Sequence, residues 1–269
     1  MLLDVSGLAY RSFYTTGMLS HSGVTTGAVY GVLRYARRLH HQYPEAGLVW
    51  CFDRDSTKRK RLFPTYKASR MTDLEDASVV EARRDLRRQL SDLENGWLPA
   101  AGYANVLSRE GYEADDVIAQ LCNQLSRRGE ESIIVSSDHD LWQMLGEHVS
   151  MLDPKGRLFT VADFRAAWKL EPEQWVDVKA LAGCKSDNVI GVPRVGERTA
   201  AKHLRGILGR GVSRDNIGVA ERDGRLDLNR RLVKLPFPGV GEFKLQDDDL
   251  SDKKWNRVAR ALGMKSLMT

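Results

Sequence analysis

Short apolar runs that end at aspartates constrain this chain more than any other feature of its sequence. Leu2-Leu3 runs into Asp4, residues 47–52 run into Asp53, and residues 132–135 lead through two serines to Asp138. Segments with helical apolar spacing separate these runs, for example residues 26–43 and 114–127. Strands that alternate with helices predict an α/β fold with a mostly parallel sheet flanked by helices.

The acids that follow the strands are expected at one edge of the sheet, where open α/β folds bind ligands. The helix that starts with Glu113-Ala114-Asp115-Asp116 would add its own acids there. Each acid alone could be a helix cap or a solvated charge. Together they would repel one another, and hard divalent cations remove that cost. The set therefore predicts a two-metal site for phosphodiester hydrolysis.

A basic segment over residues 58–70 directly follows Asp53. It could be a solvated loop, or it could grip phosphates near the acids. Phe63 and Tyr66 lie among its cations, an arrangement suited to stacking on unpaired bases. Lys67 and Arg70 are one helical turn apart, so both could contact the same phosphate.

A Gly-x-Pro-x-x-Gly turn over residues 191–196 precedes a basic helix. Backbone N–H groups of such a turn can approach a phosphate closely. The alternative is a plain turn between two helices. Arg198 and Lys202 lie one turn apart on the following helix and favour phosphate binding.

The chain has 269 residues and a net charge of +5. A basic balance is consistent with nucleic-acid binding, although many basic proteins bind none. After about residue 177 the pattern changes to short helices and glycine turns. We therefore expect one domain over residues 1–177 and a small helical domain over residues 178–269.

The cysteines Cys51, Cys122 and Cys184 are far apart and form no CxxC pair, so neither a disulfide framework nor a structural zinc site is indicated. This fits a reducing, cytosolic setting. No apolar run approaches the ~18 residues of a membrane span, and the N-terminus lacks a signal-peptide layout. We interpret all six histidines, including His139, as structural or exposed.

Several motifs, taken together and in order, resemble the 5′-nuclease (flap endonuclease) family, in its bacterial and phage branch, which includes the 5′-3′ exonuclease domain of DNA polymerase I. The matching motifs are Leu3-Asp4, Phe52-Asp53, the basic segment with Tyr66-Lys67-Ala68-Ser69-Arg70, Glu113-Ala114-Asp115-Asp116, Ser137-Asp138-His139-Asp140, Lys185-Ser186-Asp187-Asn188 and the 191–196 turn. The resemblance implies a PIN-like nuclease fold, with a helical arch around residues 54–95 and a C-terminal helix-hairpin-helix domain.

The resemblance also implies a function: divalent-metal hydrolysis of DNA at 5′ ends and 5′ flaps. Mg²⁺ or Mn²⁺ would be the cofactor, and K⁺ could bind at the helix-hairpin-helix turn. RNA–DNA hybrids are further candidate substrates. We expect a monomer without membrane contact, in the cytoplasm of a bacterium or a phage-infected cell.

Roles for individual residues follow from the same resemblance. Asp4, Asp53, Glu113, Asp115 and Asp138 would surround the first metal, and Asp116, Asp140 and Asp187 would lie at or near the second. Catalysis would depend on Lys67, Arg70, Asp115 and Asp138. The implied DNA contacts are Arg34, Arg61, Tyr66 (stacked on the terminal base), Lys67, Arg70, Gly191, Val192, Gly196, Arg198, Thr199 and Lys202.

One position departs from the family pattern. Cys184 stands where the family has a second-metal aspartate. A thiol is a poor magnesium ligand and suits softer metals. The alternative function is therefore a weakly catalytic or non-catalytic module that binds branched DNA. A third hypothesis is a ribonuclease of the related PIN-like class.

Overall fold

A computed structural model describes residues 1–16, 19–68 and 76–268. The strands are β1 Leu2–Asp4, β2 Ser20–His21, β3 Val24–Thr25, β4 Val49–Cys51, β5 Val106–Leu107, β6 Ser132–Val135, β7 Val149–Leu152 and β8 Leu158–Phe159. Six of them form one sheet in the order β5-β4-β1-β6-β7-β8, while β2 and β3 form a separate hairpin.

The helices surround this sheet and extend beyond it. They are α1 Val5–Thr16, α2 Gly27–Gln42, α3 Thr57–Leu62, α4 Ala77–Asp92, α5 Leu98–Ala101, α6 Ala114–Ser126, α7 Val161–Trp168, α8 Trp175–Ala182, α9 Glu197–Leu204, α10 Val212–Arg222, α11 Arg225–Val233 and α12 Asp252–Ala261. Short 3₁₀ turns lie at His139–Met144, Pro172–Gln174, Lys185–Asp187 and Lys265–Leu267, and the π-helical turn Leu93–Trp97 joins α4 to α5.

The main sheet is parallel except at one edge, which confirms the predicted α/β class. The pairs β1–β4, β1–β6, β4–β5 and β6–β7 are parallel, and β8 runs antiparallel to β7. The turn before β8 is fixed by Asp153, whose Oδ1 accepts the N–H groups of Lys155 and Arg157 at 2.8 and 2.9 Å. This hairpin is not predicted from sequence, because a two-residue strand has no measurable periodicity.

The two faces of the sheet bury two apolar cores. Leu2 packs with Val117 and Trp175 on one face, and its neighbour Leu3 packs with Val32 on the other. Successive side chains of a strand point to opposite faces, so a strand covered on both sides is apolar throughout. This explains why the short apolar runs predict the central strands.

Helix α1 is not predicted from the sequence. The strand ends at Asp4 and a helix begins at once. α1 packs closely on α2, where a Cβ added to Gly31 would lie 2.2 Å from Ser12 Oγ. Only glycine at position 31 permits this helix contact without a shift.

The C-terminal region is helical, with α8, α9 and α11 packed together. Its last part returns to the sheet: Val258 and Leu262 belong to the same core as Leu3. The boundary between residues 177 and 178 stays a prediction. In the described part of the chain, no helix is both long enough and apolar enough to cross a membrane.

Candidate metal centre

Three neighbouring strands place acids at one edge of the sheet. Strands β4, β1 and β6 are adjacent and parallel, so the residues after their carboxyl ends converge. Asp4 Oδ1 accepts the Gly7 N–H at 2.9 Å, and its Oδ2 accepts the Ser136 hydroxyl at 2.9 Å. Asp53 Oδ1 accepts the Ala114 N–H at 2.8 Å, which ties the end of β4 to the start of α6.

The acids at this edge are close enough to shift one another's pKa. Burial raises the pKa of Asp4 to about 6, and the charges of Asp53 and Asp138 add to the effect. Burial also raises the pKa of Asp115 well above its ordinary value, followed in importance by the charges of Asp138 and Asp4. Without a cation, the folded chain therefore holds these carboxylates together at an electrostatic cost.

Asp116 departs from its predicted position at the second metal. Its side chain is fully buried, and it accepts hydrogen bonds from Arg59 Nη1 at 2.5 Å and Nη2 at 2.8 Å. Asp116 Oδ1 also accepts the Phe237 N–H at 2.8 Å. These donors engage both oxygens. The residue therefore anchors α3 to the start of α6 and does not face the cleft.

Glu113 does face the cleft, and two residues of the basic segment hold it. The Lys67 ammonium contacts Glu113 Oε1. The Tyr66 hydroxyl donates to Glu113 Oε2 at 3.1 Å and lies 3.2 Å from Asp187 Oδ2. Burial raises the pKa of Glu113, and the charge of Lys67 opposes this shift.

Tyr66 does not have the geometry predicted for stacking on a terminal base. Its side chain is only 3% exposed and packs against Val189 and Leu232. Because the ring is covered, only the hydroxyl of Tyr66 contacts the acids of the cleft. Tyr66 bridges two carboxylates.

A second group of ligand atoms comes from Asp140, Cys184 and Asp187, all within 4.8 Å of one another. Burial raises the pKa of Asp140 to about 6, and the charge of Asp138 adds to this. Cys184 Sγ lies 3.1 Å from Ser186 Oγ, and burial raises the pKa of the thiol. Cys184, the thiol that stands in place of the expected carboxylate, therefore belongs to a compact group of possible metal ligands.

Lys179 is a site residue that sequence reasoning missed. Its Nζ lies 2.8 Å from Asp140 Oδ1 and 3.3 Å from Glu197 Oε1. The only available signal was a lysine inside the apolar helix α8, Trp-Val-Asp-Val-Lys-Ala-Leu-Ala. A mostly buried lysine requires a partner, and the nearby acids supply it.

The predicted DNA contacts on helices are mostly exposed. Arg34 lies on α2, Arg61 on α3 and Lys202 on α9, each exposed to solvent, while Thr199 is half-buried in the first turn of α9. Arg198 is exposed, and its guanidinium carbon lies 4.1 Å from the ring centroid of Trp168. Arg70 lies outside the described residues.

Close packing, and not only ligand binding, explains part of the sequence of the 191–196 turn. A Cβ at Gly191 would lie 2.2 Å from the Ala182 carbonyl oxygen. The Val192 N–H already donates to the Leu181 carbonyl at 2.7 Å, and the Val192 side chain is buried. Neither the Val192 N–H nor its side chain is therefore placed to meet a phosphate, contrary to the sequence prediction. Gly196 lies in open space at the start of α9 and fits a contact with a ligand.

The donor set of the cleft fits divalent cations. The cleft has a volume of about 450 Å³, and Asp4, Glu113, Asp115 and Asp138 line one part while Asp140, Cys184 and Asp187 line another. The first group offers only hard oxygen donors, which suit magnesium or manganese. The second adds a soft donor and suits manganese or softer ions better than magnesium. Of the predicted ligands, Asp53 and Asp116 do not line the described walls of this cleft.

Comparison with known proteins identifies the class to which this fold and acidic cleft belong. The family model for the 5′-3′ exonuclease N-terminal resolvase-like domain matches residues 1–169. The chain therefore belongs to the 5′-3′ exonuclease family, which confirms the resemblance seen in its motifs. The thermostable DNA polymerase I of Thermus thermophilus is 37% identical over 209 residues, or 76% of this chain and 24% of the polymerase. The chain thus spans about a quarter of the length of this relative.

Solved structures share the fold at lower identity. Bacteriophage T5 5′-exonuclease with bound zinc superposes with a TM-score of 0.73 at 19% identity, over 87% of this chain and 88% of that chain. A T5 flap endonuclease variant in complex with DNA and metal ions gives a TM-score of 0.71 at 19% identity, with the same coverage. These likenesses establish a common architecture.

Proposed function

We propose that the chain is a metal-dependent, structure-selective 5′-nuclease that hydrolyses DNA phosphodiester bonds at 5′ ends and 5′ flaps. The observation that supports this most strongly is the convergence of Asp4, Asp115 and Asp138 with Lys67 in one cleft. Membership of the 5′-3′ exonuclease family and a common fold with a DNA-bound T5 flap endonuclease support the same activity.

In this proposal two groups of residues hold the metal ions. Asp4, Glu113, Asp115 and Asp138 would hold the first ion, with Asp53 behind them. Asp140, Asp187 and Cys184 would hold the second. Bound divalent cations supply an activated water and charge stabilisation at the scissile phosphate. Magnesium or manganese would serve at the first group, and manganese would be favoured at the second.

The chain's own residues position the substrate. Lys67 lies on the cleft wall and neutralises Glu113. Once a cation takes over that neutralisation, the Lys67 ammonium would stabilise the phosphate of the cut strand. Tyr66 holds Glu113 and Asp187 in their relative positions through its hydroxyl. Arg70 is proposed as a second phosphate contact of the same segment.

The duplex would bind along exposed cations and the glycine turn. Arg34, Arg61, Arg198 and Lys202 are exposed, and Thr199 and Gly196 lie at the start of α9. Backbone contacts of this type hold a duplex without reading its sequence. A potassium ion at the turn, RNA–DNA hybrids as substrates and a monomeric state belong to this proposal. A DNA substrate would place the protein in the cytoplasm of a bacterium or a phage-infected cell.

The second candidate function is a module that binds branched DNA and cuts it weakly or not at all. Cys184 favours this alternative, because the thiol removes a charged oxygen ligand from the second group. It predicts tight flap binding without turnover in any metal.

Cleavage of a labelled 5′-flap duplex, beside blunt duplex and single strand, tests the proposal in magnesium and in manganese. We expect cuts near the flap junction that Asp138→Asn abolishes. The matched control is Asp247→Asn, which alters an exposed acid remote in sequence from the cleft residues and should retain activity. Flap binding without cleavage in either metal would instead establish the DNA-binding module.

A further inference from the structure

A second cavity, of about 430 Å³, lies next to the carboxylate cleft. Ser137 and His139 line both cavities, so Asp138 lies between them. Ser136, directly after β6, and Met151 of β7 also line it. We call this cavity the side pocket. A bound polymer that extends from the cleft past Asp138 would therefore enter the side pocket.

An aromatic stack forms one wall of the side pocket. The rings of His139 and Trp142 are stacked with centroids 3.8 Å apart and an interplanar angle of 17°. Trp142 stacks in turn on Phe159, at 5.1 Å and 27°. Trp142 is also held by Trp175, at 5.1 Å. Trp142 packs against the core, whereas His139 at the outer end of the wall is exposed.

Cations form the rim of the side pocket. Arg11 comes from α1, and Lys155 and Arg157 come from the hairpin between β7 and β8, all three exposed. Asp153 is the acid in the lining, and its Oδ1 is engaged by the hairpin's own N–H groups. Arg38 of α2 donates to the Pro154 carbonyl at 3.1 Å and pins the hairpin in place. The pocket is therefore basic, whereas the adjoining cleft is acidic.

Aromatic faces among cations are the chemistry that binds unpaired nucleotides, because bases stack on rings while phosphates meet the charges. A purely structural stack would have no need of an exposed outer ring in a pocket with a cationic rim. We propose that the side pocket binds one unpaired nucleotide of the cleaved strand, adjacent to the scissile phosphate. Its base stacks on the aromatic wall at His139, and its phosphate meets Arg11 and Arg157. The position next to the scissile phosphate rests on the proposed nuclease function.

The test measures binding of flap DNA by fluorescence anisotropy in EDTA, where no cleavage is needed. A series of flaps carries a single abasic site at successive positions of the 5′ strand. We expect the abasic site to weaken binding by wild-type protein about fivefold or more at one position of the series, and to have little effect at the others. His139→Ala should weaken binding of intact DNA by a similar factor and lose sensitivity to that abasic position. His139→Phe, which keeps a ring, should preserve both.

Two matched controls separate the pocket from general charge and folding effects. His148→Ala removes a half-buried histidine at the amino end of β7, at the opposite end of the strands from the cleft, and should bind like wild type. Arg157→Gln should weaken binding more than Arg128→Gln, which changes an exposed cation ahead of β6.

If wild type and His139→Ala respond in the same way to every abasic position, the proposal that the side pocket binds a base is wrong. If instead the coupling between His139 and one base holds but flaps are never cut, the pocket stands and the nuclease proposal fails. Absence of any flap binding would overturn both.

Discussion

Lys179 Nζ lies 2.8 Å from Asp140 Oδ1 in the carboxylate cleft. The two side chains are 11% and 19% exposed, so water screens their attraction only weakly. Lys67 stands in the same relation to Glu113. Each of the two carboxylate groups is therefore faced by a lysine that neutralises part of its charge when no metal ion is bound.

Replacing Lys179 should show how much this neutralisation stabilises the metal-free fold. In Lys179→Gln, ionised Asp140 loses its cation, and the unfolding free energy of the metal-free protein at pH 8 should fall by about 2 kcal/mol. The loss should shrink below pH 6, because the Asp140 carboxyl, with its pKa of about 6, is then protonated in the folded chain. Urea unfolding at pH 8 and pH 5 measures both values, with Lys253→Gln on the exposed face of α12 as control. Equal losses at the two pH values would contradict the pairing.

The raised pKa of Asp4 predicts that neutralising it stabilises the metal-free protein. The folded-state pKa of about 6 exceeds the ordinary 3.8, so the stability linked to Asp4 protonation is present below pH 4 and is lost as the pH rises through 6. Asp4→Asn stays neutral, and it should raise the unfolding free energy at pH 8 by about 2–3 kcal/mol, at roughly 1.4 kcal/mol per pKa unit.

The gain of Asp4→Asn should vanish near pH 4, while flap cleavage is lost at every pH. Denaturant unfolding in EDTA across this range provides the measurement, and Asp247→Asn should show neither effect. A variant that is less stable than wild type at pH 8 would show that the hydrogen bonds from Gly7 and Ser136 outweigh the crowding of charge.

Breaking the Arg59–Asp116 pair should destabilise the fold strongly. Arg59→Met leaves the Asp116 charge buried without a cation, and the expected loss is about 3–5 kcal/mol. Asp116→Asn should also lower stability, while the folded variant binds manganese like wild type. Urea unfolding and calorimetric metal titration measure the two effects. If Asp116→Asn keeps the stability of wild type but binds manganese more weakly, Asp116 is a metal ligand after all.

Cys184→Asp should restore a hard ligand to the second group. We expect magnesium-supported flap cleavage to rise about tenfold or more, with a smaller gain in manganese. Initial rates in the two metals provide the comparison, and Cys184→Ser, which adds no charge, should show no gain. Independently of activity, cobalt bound to wild type should show a near-ultraviolet charge-transfer band from the thiolate that Cys184→Ser lacks. Absence of that band would exclude Cys184 as a ligand.

The strand ends could be predicted because central parallel strands are apolar on both faces and each runs into a marked acid. Asp115 and Asp116 could not be told apart in the same way. They lie about 100° apart on a helix, and only the position of Arg59 in the fold decides which one faces the cleft. Lys179 is distant in sequence from Asp140, and no local pattern joins them. β8 is too short to show a period, and α1 starts without a break after β1.

The Tyr66 hydroxyl has one proton and two carboxylates within reach, Glu113 and Asp187. It can donate fully to only one of them at a time, so the direction of this bond reports which carboxylate is the more electron-rich. A cation drawn to Glu113 would weaken that oxygen as an acceptor and turn the hydroxyl toward Asp187. The Tyr66 hydroxyl therefore couples the Glu113 side of the cleft to the Asp187 side through one shared proton.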